Sequence, residues 1–193
     1  MTLPDLYEGG HRVPFIVRWP GQIKANSRND ETITLTDIMA TCAGILGYEL
    51  PANTAEDSVS LLPVLRGEKV EKPLHNIVIH HSGSGHFAIR KGRWKLLLCR
   101  GSGGWSPPRE AEAAKKKMPM LQLYDLAGDP KETNNLHTQY PDKVKELVSD
   151  LAKAFRNGRT TPGPRQKNQG WPNTISRPIL EKFPELTDPR IKS

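Results

Sequence analysis

The hydrophobic period of this chain changes twice, and that change limits its fold more than any other feature. From Thr34 to Leu46 the apolar positions Leu35, Ile38, Met39, Cys42, Ile45 and Leu46 recur at helical spacing, with Thr34 and Asp37 placed like a capping box and Gly47 as terminator. From Asn76 the runs become short and strand-like, over 76–80, 87–90, 94–99 and 121–125. Lys91-Gly92-Arg93 separates the second run from the third, as expected of a hairpin with Gly at its turn. The helical period returns over 142–157, where Val144, Leu147, Val148, Leu151 and Phe155 share one face between Pro141 and Gly158. The pattern predicts a helix, then a small antiparallel sheet, then a closing helix packed on it.

Before the first helix, residues 13–19 (Val-Pro-Phe-Ile-Val-Arg-Trp) form an apolar run closed by Pro20-Gly21, which suits a buried strand. Ser60 to Arg66 adds one helical turn before Gly67. One strand and one helix cannot cover both faces of a parallel sheet. The first layer therefore reads as incomplete, with sequence missing before Met1. From Arg159 onward, Pro162, Pro164, Pro172, Pro178, Pro184 and Pro189 exclude long regular structure. The expected division is 1–72 as the end of an α/β core, 73–158 as an α+β subdomain, and 159–193 as an irregular basic tail.

The net charge of +7 raises the question of a polyanionic partner. The whole excess sits in residues 100–118 and 159–193, both rich in Pro and Gly, so a solvated loop and tail are expected and no nucleic acid. Cys42 and Cys99 lack Cys-x-x-Cys spacing and read as buried, inert thiols. No apolar run reaches the ~20 residues of a membrane helix, and the first residues lack the basic start and apolar stretch of a secretory signal.

Five blocks in order carry a resemblance. They are Tyr7-Glu8-Gly9-Gly10-His11-Arg12-Val13-Pro14 with the strand after it, Thr36-Asp37-Ile38-Met39-Ala40-Thr41, Asp57 to Gly67, Ala88 to Leu96 ending in Trp94-Lys95-Leu96, and Leu123 to Leu136. Together they resemble the C-terminal part of type I (formylglycine-dependent) sulfatases, arylsulfatase-like enzymes of the alkaline-phosphatase-like superfamily. The family Gly is Ser58 here, and Leu3 stands where the family carries a sulfate-contacting Lys. Most of these motifs are architectural. Gly9-Gly10 permits a tight turn, and Asp129-Pro130 with Asn134-Asn135 supplies turn and cap chemistry before the closing helix.

The resemblance implies a sulfuric ester hydrolase acting on a sulfated polysaccharide or an aryl sulfate, through a formylglycine and a bound Ca²⁺. It also implies a periplasmic or secreted location. Neither cysteine fits the Cys/Ser-x-Pro/Ala-x-Arg modification motif, and no carboxylate cluster offers the roughly six oxygens that a hard cation takes. No catalytic residue or metal ligand is therefore assigned in this chain, which is expected to be inactive alone. His11, His80, His81 and Ser82 are the candidate substrate contacts, since a strand opening into a Gly-rich loop is a common binding element. Capping or filling a polar loop is the structural alternative for each. Arg12 suits a buried ion pair that pins the turn, and Trp19 and Trp94 suit the core. A basic module binding sulfated polysaccharide or nucleic acid, and a chain that pairs with a partner carrying the catalytic half, are the competing readings.

Overall fold

A computed structural model describes residues 5–168 and 175–187. Leu3, Pro172 and Pro189 lie outside the described residues. The elements in chain order are helices α1 (Glu8–His11), α2 (Asp37–Ile45) and α3 (Leu62–Leu65), strands β1 (Val78–His81), β2 (Phe87–Lys91) and β3 (Trp94–Leu97), helix α4 (Glu110–Lys115), strand β4 (Gln122–Asp125), and helices α5 (Pro141–Asn157) and α6 (Arg177–Lys182). The chain forms two compact units. One gathers the described residues of 1–13, 77–156 and 168–193, the other 14–76 and 157–167.

In the first unit the period-two runs become a four-stranded antiparallel meander in the order β1-β2-β3-β4. Registers such as Ile89↔Leu96 and Leu96↔Leu123 align residues of one face across the strands. Ile89, Leu96, Leu98 and Leu123 share a core with Val144, Leu147, Val148 and Leu151 of α5. Alternate positions Ala88, Leu97, Cys99 and Tyr124 form a second cluster with Leu6, bordered by Tyr7. The sheet is thus covered on one face by α5 and on the other by the segment leading into α1. Gly92 turns the β2–β3 hairpin with φ 56°, a left-handed conformation that glycine adopts without penalty. Asp129 accepts from the backbone N–H of Thr133 and Asn134, and Asn135 brackets Leu121 and Leu123, so the predicted turn chemistry is present.

The basic segments are less solvated than their composition suggests. Residues 110–115 form α4, and Gly101, Ser102, Gly103 and Ala113 are buried. Ile175, Ile179, Phe183 and Leu186 enter the α5 core. The expectation of a solvated tail gives way over 175–187, because these apolar side chains recur closely enough to bury in short turns between prolines.

The second unit departs more from expectation. Residues 13–19 are neither paired nor buried: Phe15 and Val17 are exposed, and Ile16 is 89% exposed. A strand needs a neighbour to take its backbone hydrogen bonds, and none lies beside it among the described residues. Helix α2 forms where predicted, and Asp37 accepts from the Thr34 N–H. Its apolar stripe, however, faces outward: Leu35, Ile38, Met39 and Ile45 are exposed, as is Leu46 at 81%. Cys42 is exposed as well, against the expectation of burial, while Cys99 is buried. The inward face of α2 is instead polar and small, with Asp37, Thr41 and Ala43 buried.

Hydrogen bonds organise that inward face. The Asp37 carboxylate accepts from the Val59 N–H at 2.9 Å and lies 2.9 Å from His75 Nε2. Burial pushes its carboxyl up, but the His75 contact and the backbone donors outweigh this and lower it. Ser58, in place of the family Gly, donates to the Thr36 carbonyl and accepts from the Ala40 N–H. Arg159 is buried, with its guanidinium donating to the carbonyls of Ala52 and Pro164.

Candidate functional site

Strand alternation puts His80, Ala88, Arg90, Lys95, Leu97, Gln122 and Tyr124 on the sheet face that meets Leu6, as the pairs His80↔Ala88, Arg90↔Lys95 and Leu97↔Gln122 show. Helix α1 lies over this face. Its tight start requires Gly10, since a Cβ there would sit 2.7 Å from the Cβ and carbonyl oxygen of Asp5. The turn is therefore set by close approach of two backbones, a common reason for glycine.

Lys95 is the centre of the arrangement. Its side chain is 0% exposed, and its Nζ donates to Glu8 Oε1 at 3.0 Å. A second charge contact, outside hydrogen-bond alignment, joins Nζ to Glu132 Oε1 at 2.8 Å. Glu132 also accepts from the Glu8 N–H, and Arg90 lies 3.8 Å from Glu8 Oε2. Two cations thus face two carboxylates, which offsets much of the cost of burying them. Burial pushes the Glu8 carboxyl up, yet Lys95, His11 and Arg90 together hold it below the ordinary value. Glu132 goes the other way. Burial raises its carboxyl against the pull of Lys95, and the nearby Glu8 charge adds to the rise.

His11 and His80 lie in contact beside this network, with ring centroids 3.9 Å apart and ring planes tilted by 43°. Lys95 Nζ lies 3.0 Å from His11 Nε2. An ammonium only donates, so Nε2 is the acceptor and the imidazole proton sits on Nδ1. Burial, then Lys95, lowers the His11 pKa to about 4 against the partial opposition of Glu8. Burial and the neighbouring His11 lower that of His80 to about 3. Both rings are neutral at physiological pH. They serve as hydrogen-bonding groups there, not as cationic anion anchors.

His81 is exposed at the end of β1, with its ring edge against Phe87. Ser82 is buried: its N–H donates to the His86 carbonyl and its Oγ accepts from the His86 N–H, which fastens the Gly83–Gly85 loop. The structure thus brings His11 and His80 together, leaves His81 on the surface and gives Ser82 a loop-holding role. Arg12 is exposed, and no ion pair reaches it among the described residues. The ion pair expected at the turn is made by Glu8 with Lys95, because Glu8 points at the sheet and Arg12 away from it.

No group of three or more His, Cys, Asp and Glu side chains suited to a metal occurs among the described residues. The two buried carboxylates nearest each other, Glu8 and Glu132, already flank an ammonium, so they do not fit a Ca²⁺ site. No helix among the described residues is long and apolar enough to cross a membrane.

A meander sheet carrying Trp94-Lys95-Leu96, braced by a buried lysine against a Glu-Gly-Gly turn, defines the C-terminal portion of a sulfatase. The chain belongs to the N-sulphoglucosamine sulphohydrolase, C-terminal family, whose model matches residues 5–103. It is 35% identical over 150 residues to the N-acetylgalactosamine-6-O-sulfatase of Bacteroides thetaiotaomicron, covering 78% of this chain and 28% of that protein. Human arylsulfatase D is 27% identical over 193 residues, covering 91% of this chain and 32% of that protein. The chain thus spans roughly a third of the length of these curated relatives.

Among solved structures, a protein described with the metabolism of multiple glycosaminoglycans by B. thetaiotaomicron superposes with a TM-score of 0.63 at 34% identity, covering 78% of this chain and 30% of that one. A second, in complex with its substrate D-glucosamine-2-N,6-O-disulfate, superposes with a TM-score of 0.52 at 23% identity, covering 72% and 27%. The second likeness concerns the fold alone.

Proposed function

We propose that this chain is the C-terminal portion of a sulfuric ester hydrolase and supplies one wall of its substrate pocket, with the chemistry carried by residues outside it. The observation that carries this reading is the outward apolar face of the second unit. Phe15, Ile16, Val17, Ile38, Met39 and Leu46 are exposed although their spacing is that of a core. A surface of this kind calls for a covering protein layer, and membership of a C-terminal sulfatase family supports the reading that the rest of a sulfatase supplies it. The division near residue 72 belongs to the same reading, with α1 built into the sheet unit.

The formylglycine and the Ca²⁺ ligands belong to that other part, while the family's sulfate-contacting Lys is replaced by Leu3 in this chain. His11, backed by His80, and His81 at the edge of the sheet would meet a sulfated sugar, with Ser82 holding the loop between them and His86. Sulfated saccharides are the favoured substrates in this reading, since the relative at 35% identity is by name an N-acetylgalactosamine-6-O-sulfatase. A periplasmic or secreted location is part of the same proposal.

Two measurements test the proposal. The DNA upstream of Met1 is expected to encode, in frame, a Cys/Ser-x-Pro/Ala-x-Arg motif, and residues 1–193 alone are expected to release no sulfate from 4-nitrophenyl sulfate or 6-O-sulfated N-acetylgalactosamine. Turnover by the 193-residue chain above a calcium-free control would overturn the assignment of the chemistry elsewhere. Absence of both the upstream motif and any co-purifying catalytic partner would overturn the sulfatase reading itself.

A further inference from the structure

We propose that Trp105 is a saccharide-stacking platform beside the α1 turn, taking the ring of an anionic sugar; this rests on the sulfatase reading above. Trp105 is 57% exposed, and its indole makes no aromatic or cation–π contact among the described residues. Trp94, by contrast, lies against Tyr140 with centroids 5.1 Å apart. An indole left in water without a partner forgoes the apolar burial that usually places it. Its exposure calls for a reason.

The loop that holds it is built to hold it still. Asp5, itself buried, accepts through Oδ1 from the backbone N–H of Trp105 at 2.7 Å and of Ser106 at 3.1 Å. Ser102 is fully buried, donates to the Ser106 carbonyl and accepts from the Gly104 N–H. The Ser102 carbonyl accepts from the Leu6 N–H at 2.9 Å. Gly103 passes so close to Leu6 and Cys99 that a Cβ would meet the Cys99 sulfur at 2.8 Å. The loop is therefore anchored on both sides of the exposed ring, and its anchor is Asp5-Leu6, the dipeptide that precedes Tyr7-Glu8 and the α1 turn. An aromatic face fixed in advance loses little rotamer and loop entropy when a ligand stacks on it.

Charge narrows the class of ligand. Arg109 donates from Nε to the Trp105 carbonyl at 2.9 Å, which brings a guanidinium to the same loop. An aromatic platform with an adjacent arginine suits the C–H face of a sugar that carries a sulfate, since a planar guanidinium matches an oxyanion. A neutral sugar would use the ring alone.

The test uses the full 193-residue chain and a chondroitin 6-sulfate tetrasaccharide, followed by the indole N–H resonance of Trp105, which is assigned by its loss in W105F. The expected result is a saturable shift of that resonance, binding weakened about fivefold in W105A and largely kept in W105F. The two variants should melt with the parent. Unweakened binding by W105A, or an indole resonance that does not move at any probe concentration reached, overturns the proposal. If W105A folds poorly, W105F and the indole shift of the parent still decide it. The desulfated tetrasaccharide separates the two claims. Equal shifts by both probes keep the platform and count against its preference for a sulfated sugar. Sulfate-dependent shifts at His11 without any at Trp105 keep the sulfatase wall and remove the platform.

Discussion

Replacing Lys95 by Met keeps the length of the side chain and removes its charge from a site with no access to water. In the native arrangement the ammonium lies 3.0 Å from Glu8 and 2.8 Å from Glu132. Without it two carboxylates share a buried space, with Arg90 3.8 Å and the His11 ring 3.5 Å from Glu8 left to face them. Breaking a buried pair by removing one partner costs about 3–5 kcal/mol. For a chain of this size that is a fall in melting temperature of roughly 6–20 °C. The deficit depends on pH with a definite sign. Burial already holds the Glu132 carboxyl above its ordinary value of 4.5 in the parent, and loss of Lys95, the largest charge that lowers Glu8, is expected to raise both carboxyls in the variant. A carboxyl raised in the folded state costs stability above that raised value and costs nothing below the unfolded one. The gap between parent and variant is therefore widest near neutrality and narrows as the pH falls toward 4.5. Urea titrations read by far-UV circular dichroism at about pH 7.5 and about pH 5 measure it. Adding E132Q to K95M removes one stranded charge and restores part of the loss. A deficit under about 1 kcal/mol near neutrality, or one of equal size at both pH values, would refute the reasoning.

Gly10→Ala places a Cβ 2.7 Å from Asp5 and is expected to cost about 1–3 kcal/mol, seen as a lower melting temperature. Asp37→Ala leaves the Thr34 and Val59 amides and His75 Nε2 without their buried acceptor. A loss of about 3 kcal/mol is expected, with faster hydrogen exchange in α2 and unchanged exchange in the sheet. His11 and His80 have folded pKa values of about 4 and about 3 against an ordinary 6.5. Each takes up a proton on unfolding once the pH falls through 6.5, so parent stability declines from there toward pH 4. His80→Asn should flatten that decline in the urea midpoint measured across the same range.

Periodicity made the sheet legible. The four runs pair as read, the hairpin turns at Gly92, and α5 buries the face that its apolar positions mark. The same reasoning misplaced the faces of 13–19 and α2, because a hydrophobic period reports that a surface wants burial and is silent on what buries it. Lys95 was missed for a different reason. A lysine in a strand counts as polar and outward, yet its register placed it with Leu97 and Cys99 on an apolar face. That alternation was the available signal. Its partners Glu8 and Glu132 come from distant parts of the chain, and no local pattern links them. The sequence marks His11 and His80 separately, and only the fold brings their rings together. Cys42 follows its helix face outward, and the tail enters the core through single apolar residues that composition averages away.

The sheet unit is interrupted in sequence: the described residues of 1–13 belong with 77–156, and residues 14–76 intervene. The hairpins and α5 join neighbours in the chain and carry low contact order, so they assemble quickly. Seating α1 on the sheet instead closes a long excursion, at a chain-entropy cost on the order of 4 kcal/mol. Connectivity predicts an order of events. The meander is expected to form first with an unmatched lysine on one face, and the turn that neutralises it to arrive last, which pulse-labelling hydrogen exchange during refolding would check. In that order the ammonium of Lys95 is expected to stay hydrated until α1 docks, so that its desolvation and the placing of the two imidazoles belong to the same late step.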